Sequence, residues 1–270
     1  MRESMPVVLA LSRLLLGVSL GLSSAELLWN RAMFSPGGLS SWTVLRTLHR
    51  RRSSRIETPR DLILGEHFVA LLIVRLMLAS LLILPNLPIY LYPGLEALLL
   101  LANMTISYRG PYGGDGSEQM NTVVLAGLLY TQLLPGVSFR GVPLGLGFIA
   151  TQLTLSYFIA GFAKLISPIW RSGRVVADIL RSSTFGLPMA ADWLDSFPAI
   201  GAALCWMVII FEVGFPTVFV APSRLIAWYF VAGVIFHLGI SVAMGLNTFV
   251  PAFLAAYPSL LVTAHAVRRP

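Results

Sequence analysis

The stretch VPLGLGFIATQLTLSYFIAGFAKLI, residues 142–166, carries a single ionised side chain, Lys164, close to its end. About 20 apolar residues in an α-helix cross a hydrocarbon core about 30 Å thick, and the helix satisfies its own backbone hydrogen bonds there. The stretch therefore predicts a membrane-spanning helix. Runs of the same kind recur along the whole chain, and the chain is predicted to be an all-α, polytopic membrane helical bundle.

Composition points to the same class of protein. The chain is 56% hydrophobic and 11% charged, with a mean hydropathy of +0.79, whereas soluble domains are about 25% charged. We predict a single integral membrane domain over residues 1–270 with about eight transmembrane helices and no folded extramembrane part. The predicted spans are residues 7–28, 68–84, 89–106, 120–137, 142–166, 200–220, 225–244 and 249–262. Pro251 and Pro258 interrupt the last span, so seven spans and a re-entrant segment are the alternative.

The net charge of +7 arises largely from the arginine loop, residues 46–60, which follows the first predicted span. Beside a membrane helix, such a cluster fixes orientation or contacts anionic lipid, so membrane lipids are expected partners and nucleic acid is not. The loops after the first, third and fifth spans hold most arginines, which predicts that they are cytoplasmic. Cys205 is the sole cysteine, so an internal disulfide and a cysteine-built metal site are both excluded. No metal cofactor is expected.

Ionisable side chains inside the predicted spans are the first candidates for chemistry. Each one costs about 2.5 to 3.5 kcal/mol at a helix centre on insertion scales. Those in the first three spans are interpreted as structural, with the two arginines pairing with the glutamates across helices. They are Arg13, Glu26, Arg75 and Glu96.

Lys164 is the only lysine, since all other basic residues of the chain are arginines. A desolvated amine can lose its proton, whereas a guanidinium effectively cannot, so Lys164 is a candidate general base. As a base it is expected to face the bundle interior, beside a pocket large enough for an aromatic ring and shielded from bulk water. No carboxylate is expected to pair tightly with it, because a close salt bridge would keep the amine charged and disable it. The alternative is a lysine whose stem lies along lipid and whose ammonium reaches the interface.

Glu212 and His237 each lie among apolar neighbours within later spans. We expect each to have a polar partner within about 3 Å, most economically the other one or Asn247. For His237 alone, the alternative is a buried histidine with a purely structural hydrogen bond. Both are candidate catalytic residues beside Lys164.

Alternating helix directions bring three chain segments to one face of the bundle: the loop 108–119, the end of the span at Lys164, and Asn247. His237 lies in the half of its span that approaches this face. We therefore predict that Asp115, Lys164, His237 and Asn247 line one cavity, with Glu212 deeper. The familiar phosphate loop, HExxH, nucleophile-elbow and dinucleotide patterns are all missing from the sequence.

Three short segments together resemble a known family. YGGDGSEQM at residues 112–120 resembles the Asp-Gly-Ser-acidic-His-Met motif of the horizontally transferred transmembrane (HTTM) family, which includes the vitamin K-dependent gamma-glutamyl carboxylase. YFIAGFAKL at 157–165, followed by WRSG at 170–173, and RLLLG at 13–17 agree in order and spacing.

The resemblance implies a vitamin K-dependent-carboxylase-like enzyme, with oxidoreductase or lyase chemistry, in which Lys164 deprotonates a reduced quinone. Asp115, Gln119 and Asn247 are then candidate substrate-binding residues. Gln119 stands where the family motif has histidine, which argues against a true carboxylase. We also expect no counterpart of the carboxylase's large extramembrane domain.

Length and architecture are closer to bacterial relatives of the sporulation-delaying-protein B type, which are linked to maturation of secreted peptides. A bacterial cytoplasmic membrane is the location that this resemblance implies, and a peptide is a possible substrate. The alternative is a non-enzymatic membrane subunit that scaffolds a larger complex, or a small carrier.

Overall fold

A computed structural model describes residues 5–38, 40–49, 63–85, 87–110, 115–182 and 186–268. Within these ranges the chain forms α-helices, short 3-10 turns and one hairpin of two-residue strands, β1 (Ser138–Phe139) and β2 (Val142–Pro143). The α-helices are α1 (Met5–Trp29), α2 (Trp42–His49), α3 (Phe68–Ile83), α4 (Tyr92–Arg109), α5 (Gly116–Leu133), α6 (Leu144–Ile166), α7 (Pro168–Arg171), α8 (Val175–Arg181), α9 (Pro188–Ser196), α10 (Pro198–Gly214), α11 (Ser223–Met244) and α12 (Phe249–Val267). The predicted all-α helical bundle is confirmed.

Each of the eight predicted spans corresponds to one long helix. In the part of the chain that the structure describes, six helical segments are long and apolar enough to cross a membrane: Met5–Trp29, Ile89–Arg109, Leu144–Ile166, Pro198–Phe219, Ser223–Met244 and Phe249–Val267. The remaining two are α3, which is apolar but shorter, and α5, whose first two turns are polar.

Helix α12 is continuous through Pro258 and extends to Val267, beyond the predicted end of the last span. It packs against α1, α5, α6 and α11. Over its apolar window 56% of the residues are buried, against 17% for α11. The last span is therefore a central helix of the bundle and not a re-entrant segment, and α11 lies at the periphery.

Glycines set the closest helix contacts. A Cβ at Gly17 of α1 would lie 2.9 Å from the carbonyl oxygen of Ala79 in α3, and a Cβ at Gly127 of α5 would lie 2.8 Å from that of Gly145 in α6. Small residues let helix backbones approach, and close packing is a main source of helix association in lipid. These contacts fix the α1–α3 and α5–α6 pairs.

The helices alternate in direction, so the loops divide between two faces of the bundle. We call the arginine face the one that carries the described residues 30–38, 40–49, 63–67, 110, 115, 167–182, 186–197 and 245–248. Most of the arginine loop lies outside the described residues, and its cytoplasmic side stays a prediction. On the arginine face, the buried Arg109 donates to the carbonyl oxygens of Ser40 and Leu64 and stacks over Phe34 and Phe68.

Short helices α7, α8 and α9 occupy the segment between α6 and α10 on the arginine face. The exposed Arg181 of α8 binds Asp195 of α9, and Asp178 and Asp192 also lie within 4.0 Å of its guanidinium. Hydrogen bonding to Asp195 and the charge of that carboxylate raise the pKa of Arg181. Arg181 therefore links α8 and α9 through ion pairs with aspartates of both helices.

Candidate functional site

Lys164 of α6 and Glu212 of α10 form a bidentate ion pair. The Nζ atom lies 2.9 Å from Oε1 and 2.6 Å from Oε2, and the side chains are 20% and 4% exposed. The Lys164 ammonium also lies 5.2 Å from the ring centroid of Trp170. The prediction that no carboxylate pairs tightly with Lys164 is wrong, because an isolated Glu212 at this depth would cost several kcal/mol and the amine offsets it.

Gly161 positions this pair. A Cβ at Gly161 would lie 2.6 Å from both the Cβ of Glu212 and the backbone nitrogen of Val213. The absence of a side chain lets α10 press against α6 one turn before Lys164. The lysine stem then reaches the carboxylate across the helix contact.

We expect Gly161→Ala to lower the free energy of unfolding by about 1 to 3 kcal/mol, because the methyl group meets backbone atoms that cannot yield. Titration with dodecyl sulfate, followed by circular dichroism, measures this change. Gly147→Ala is the matched control on the same helix, since nothing in the described residues lies within 4 Å of a Cβ there. Equal unfolding free energies for the two variants would contradict the close-contact role of Gly161.

His237 of α11 bonds to the hydroxyl of Tyr157 rather than to Glu212. Its Nε2 atom lies 2.6 Å from the hydroxyl of Tyr157, which lies 3.0 Å from the hydroxyl of Tyr257. The predicted direct contacts with Glu212 or Asn247 are therefore wrong, although each residue does have a polar partner within about 3 Å. His237 is 1% exposed, and its Nδ1 atom has no hydrogen-bond partner among the described residues.

Aromatic rings enclose this hydrogen-bonded group. Tyr157 stacks on Phe215 with ring centroids 4.2 Å apart, and His237 lies 4.2 Å from Phe253 by the same measure. Phe211, directly before Glu212, also contacts the Tyr157 ring. We call these rings the aromatic cluster: Tyr157, Phe211, Phe215, His237 and Phe253. The cluster is adjacent to the Lys164–Glu212 pair because Phe211 directly precedes Glu212. Its packed rings fix the orientation of His237.

The three predicted substrate-binding residues lie elsewhere on the arginine face. Asp115 caps α5, accepting hydrogen bonds from the backbone nitrogens of Ser117 and Glu118 at 2.9 and 3.0 Å. Gln119 is exposed in the first turn of α5. Asn247 donates to Glu26 at 3.2 Å.

The prediction that these residues line a single cavity is therefore wrong. Asp115 lines a separate cavity that Asn247 adjoins through Glu26, Lys164 binds Glu212, and His237 lies in the aromatic cluster. The apolar pattern shows how deep each residue lies along its own helix but not which helices are neighbours. The prediction treated residues at a similar depth as neighbours, although similar depth does not bring two helices into contact.

Of the predicted structural pairs, one is present. Arg13 donates to Glu96 at 2.9 Å and lies over the Tyr92 ring, while Gln132 also donates to Glu96. All four side chains belong to helices that meet near the face opposite the arginine face.

Arg75 pairs with Glu118, at 3.2 Å, and not with Glu26 or Glu96. It is fully buried and also donates to Ser23, Ser24 and Asn103. Glu118 was missed because the predicted span began at residue 120. The spacing of Asp115 and Glu118, an N-cap residue with an acid three positions later, is a helix-start pattern and would have placed Glu118 in the first turn.

Comparison with known proteins gives no match, neither to a family model nor to a curated protein or a solved structure. Among the described residues, no group of three or more histidine, cysteine, aspartate or glutamate side chains is arranged to hold a metal ion.

Proposed function

We propose that the chain is an HTTM-type enzyme of a bacterial cytoplasmic membrane, in which the Lys164–Glu212 pair deprotonates a lipid-soluble hydroquinone. The observation that carries the proposal is an amine–carboxylate pair, with Glu212 buried and Lys164 partly buried, beside a cluster of aromatic rings. A hydroquinone is aromatic and partitions into lipid, so its ring is suited to contact with the aromatic side chains beside the pair. Maturation of a secreted peptide has support only from the resemblance of short motifs.

The pair supplies a base through an internal proton transfer. Two desolvated charges are costly, and moving one proton from the Lys164 ammonium to the Glu212 carboxylate leaves two neutral groups. The amine lone pair then accepts the proton of a hydroquinone hydroxyl, whose oxygen keeps the bonding electrons. The resulting phenolate faces the newly formed Lys164 ammonium, which stabilises it.

His237 and Tyr157 support this site without contacting the pair. Tyr157 lies seven residues before Lys164 on α6, about 10 Å along the helix axis, and its ring contacts Phe211. The hydrogen bond to His237 keeps the Tyr157 ring in place. We therefore assign His237 and Tyr157 a positioning role.

A non-enzymatic membrane subunit is the second candidate, and one observation favours it. Lys164–Glu212 resembles the Arg13–Glu96 and Arg75–Glu118 pairs, which join helices and neutralise buried charge. In a subunit or a small carrier, the Lys164–Glu212 pair would be a third structural link of the same kind.

Dioxygen uptake tests the enzymatic proposal, because a hydroquinone anion reacts with dioxygen faster than the neutral hydroquinone. Purified protein in phospholipid vesicles is given reduced menadione, a naphthohydroquinone, and uptake is followed with an oxygen electrode. We expect wild-type vesicles to exceed protein-free vesicles and Glu212→Gln to fall to the protein-free rate, because glutamine cannot accept the lysine proton.

Glu66→Gln is the matched control, since Glu66 is an exposed carboxylate on the arginine face. Its uptake is expected to equal that of wild type. Uptake by wild-type vesicles no faster than by protein-free vesicles would contradict the enzymatic proposal and favour the subunit.

A further inference from the structure

The short helix α9 on the arginine face exposes a row of large apolar side chains, which we call the apolar row. Met189, Trp193 and Phe197 are 88%, 51% and 51% exposed. Residues four positions apart lie on one side of a helix, and the backbone nitrogen of Phe197 still donates to the carbonyl oxygen of Trp193, so the row continues to the end of α9. The Trp193 and Phe197 ring centroids are 5.4 Å apart. Exposed apolar side chains grouped in this way indicate an interaction surface.

The other two sides of α9 make contacts within the chain. Ala191 and Leu194 are buried and belong to an apolar cluster with residues of α8. Asp192 and Asp195 form ion pairs with Arg181. A turn of about 100° per residue places the apolar row, the packed side and the acidic side roughly 120° apart around the helix. Helix α9 is therefore amphipathic, and its apolar row points away from both α8 and the acidic side.

The position of α9 indicates that lipid covers this row. The helix has nine residues and is about 14 Å long, too short to cross a hydrocarbon core of about 30 Å. Phe197 directly precedes Pro198, where the membrane-spanning α10 begins, and α6, another such helix, ends on the same face at Ile166. Helix α9 thus lies where two spans end, which is the level of the lipid headgroups. Amphipathic helices with tryptophan and phenylalanine on the apolar side lie at this level in a bilayer.

A second copy of the chain is a poorer occupant of the row. A standard protein interface buries about 800 Å² on each partner. Three side chains of one nine-residue helix supply less area than that. The small area favours lipid over a self-association surface.

Two arginines of the α7–α8 segment add a charged part to the surface. Arg171 and Arg174 are exposed and form no ion pair among the described residues, whereas the aspartates of α8 and α9 surround Arg181. Arg174 lines a cavity of about 390 Å³ between α8, α9 and the start of α10. Asp195 also lines this cavity, but Arg181 offsets its charge. A guanidinium without a carboxylate partner is suited to bind the oxygens of a phosphate.

We propose that the apolar row, together with Arg171 and Arg174, binds the surface of a bilayer that contains anionic phospholipid. The row lies among the upper methylene groups, the two arginines bind phosphates, and the acidic side of α9 faces water. Phosphatidylglycerol suits the arginines better than phosphatidylcholine does, because the choline cation of the second lipid already offsets its phosphate. The surface uses neither Lys164 nor Glu212, so it is independent of the proposed hydroquinone reaction.

Spin labels on α9 test this proposal with the full chain in phospholipid vesicles. In a Cys205→Ala background, which removes the sole cysteine, a nitroxide is attached to either Trp193→Cys or Asp192→Cys. The two positions are adjacent in sequence, about 100° apart around the helix, and both are exposed. Power saturation compares collisions with dioxygen, which dissolves in lipid, and with a nickel chelate, which stays in water. We expect the Trp193 label to lie about 5 to 10 Å into the boundary between headgroups and acyl chains, and the Asp192 label to lie in water.

The same label tests the two arginines. Adding phosphatidylglycerol to phosphatidylcholine vesicles should move the Trp193 label deeper. Raising sodium chloride from about 0.1 M to about 1 M shortens the screening length from about 10 Å to about 3 Å and should reverse the shift. The double variant Arg171→Gln/Arg174→Gln should abolish it. Arg31→Gln is the matched control, because Arg31 is an exposed arginine on the same face outside α7–α9, and it should keep the shift.

Three results would overturn the proposal. The first is a Trp193 label that collides with the nickel chelate as often as the Asp192 label does. The second is a Trp193 label that is shielded from both reagents and broadened by a neighbouring spin, because a second copy of the chain would then cover the row. The third is a depth that is equal in the two lipid mixtures, or a shift that survives Arg171→Gln/Arg174→Gln.

Discussion

Replacing Arg75 with methionine is expected to lower the free energy of unfolding by about 3 to 5 kcal/mol, the cost of leaving a buried charge without its partner. Arg75 is fully buried and donates to Glu118, Asn103, Ser23 and Ser24, which belong to three other helices. Methionine fills a similar volume but donates no hydrogen bond. Its effect is measured in a dodecyl sulfate titration of the purified protein.

The double variant Arg75→Met/Glu118→Met separates charge from packing. Removing both partners leaves no uncompensated charge, so the loss of stability should be smaller than the sum of the two single losses. Arg31→Met, at an exposed position beyond α1, is the surface control and should change stability by less than about 0.5 kcal/mol. A loss below about 1 kcal/mol for Arg75→Met would mean that the network does not hold the four helices together.

The spans were predictable because the length and apolarity of a run decide whether it can cross a membrane, whatever its neighbours are. Pro258 shows a limit of the same reasoning. A proline suggested interruption, but α12 runs through it because the central position of the helix surrounds that turn with other helices. The pattern of one segment does not report such surroundings.

Helix pairing was not predictable from the same pattern. Helix α10 starts beyond the end of α6, where a Cβ at Gly173 would lie 2.6 Å from Ala202. From that start, the chain reaches the level of Lys164 only in the last turns of α10, at Glu212. Close contacts at Gly161 and Gly173 set how far α10 is shifted along α6. The apolar pattern of the sequence does not indicate which glycine packs against which helix.

Polar partners were missed where they resembled ordinary apolar or loop residues. Tyr157 and Tyr257 lie in apolar runs, and only their hydroxyl groups, which usually find a partner when buried, hinted at the bond to His237. The arginine–glutamate pair Arg13–Glu96 was predicted because both residues stood out as charges at depth.

Lys164→Arg is expected to reduce hydroquinone-dependent dioxygen uptake at least about 100-fold, the usual contribution of a general base. Arginine keeps the positive charge and the approximate length of lysine, so the ion pair with Glu212 and the contact between α6 and α10 should persist. A guanidinium, however, effectively never releases its proton to the carboxylate and therefore cannot become a base. Unfolding in dodecyl sulfate should accordingly be close to wild type while uptake falls to the protein-free rate.

Lys164→Met gives the complementary result and distinguishes the two readings of the site. It should lose both uptake and stability, because Glu212 is then buried at 4% exposure without a cation. In the subunit reading, charge alone matters, so any function of the complex should survive Lys164→Arg and fail with Lys164→Met. An arginine variant that retains the full uptake of wild type would show that no proton leaves Lys164, and the pair would then be a structural link between α6 and α10.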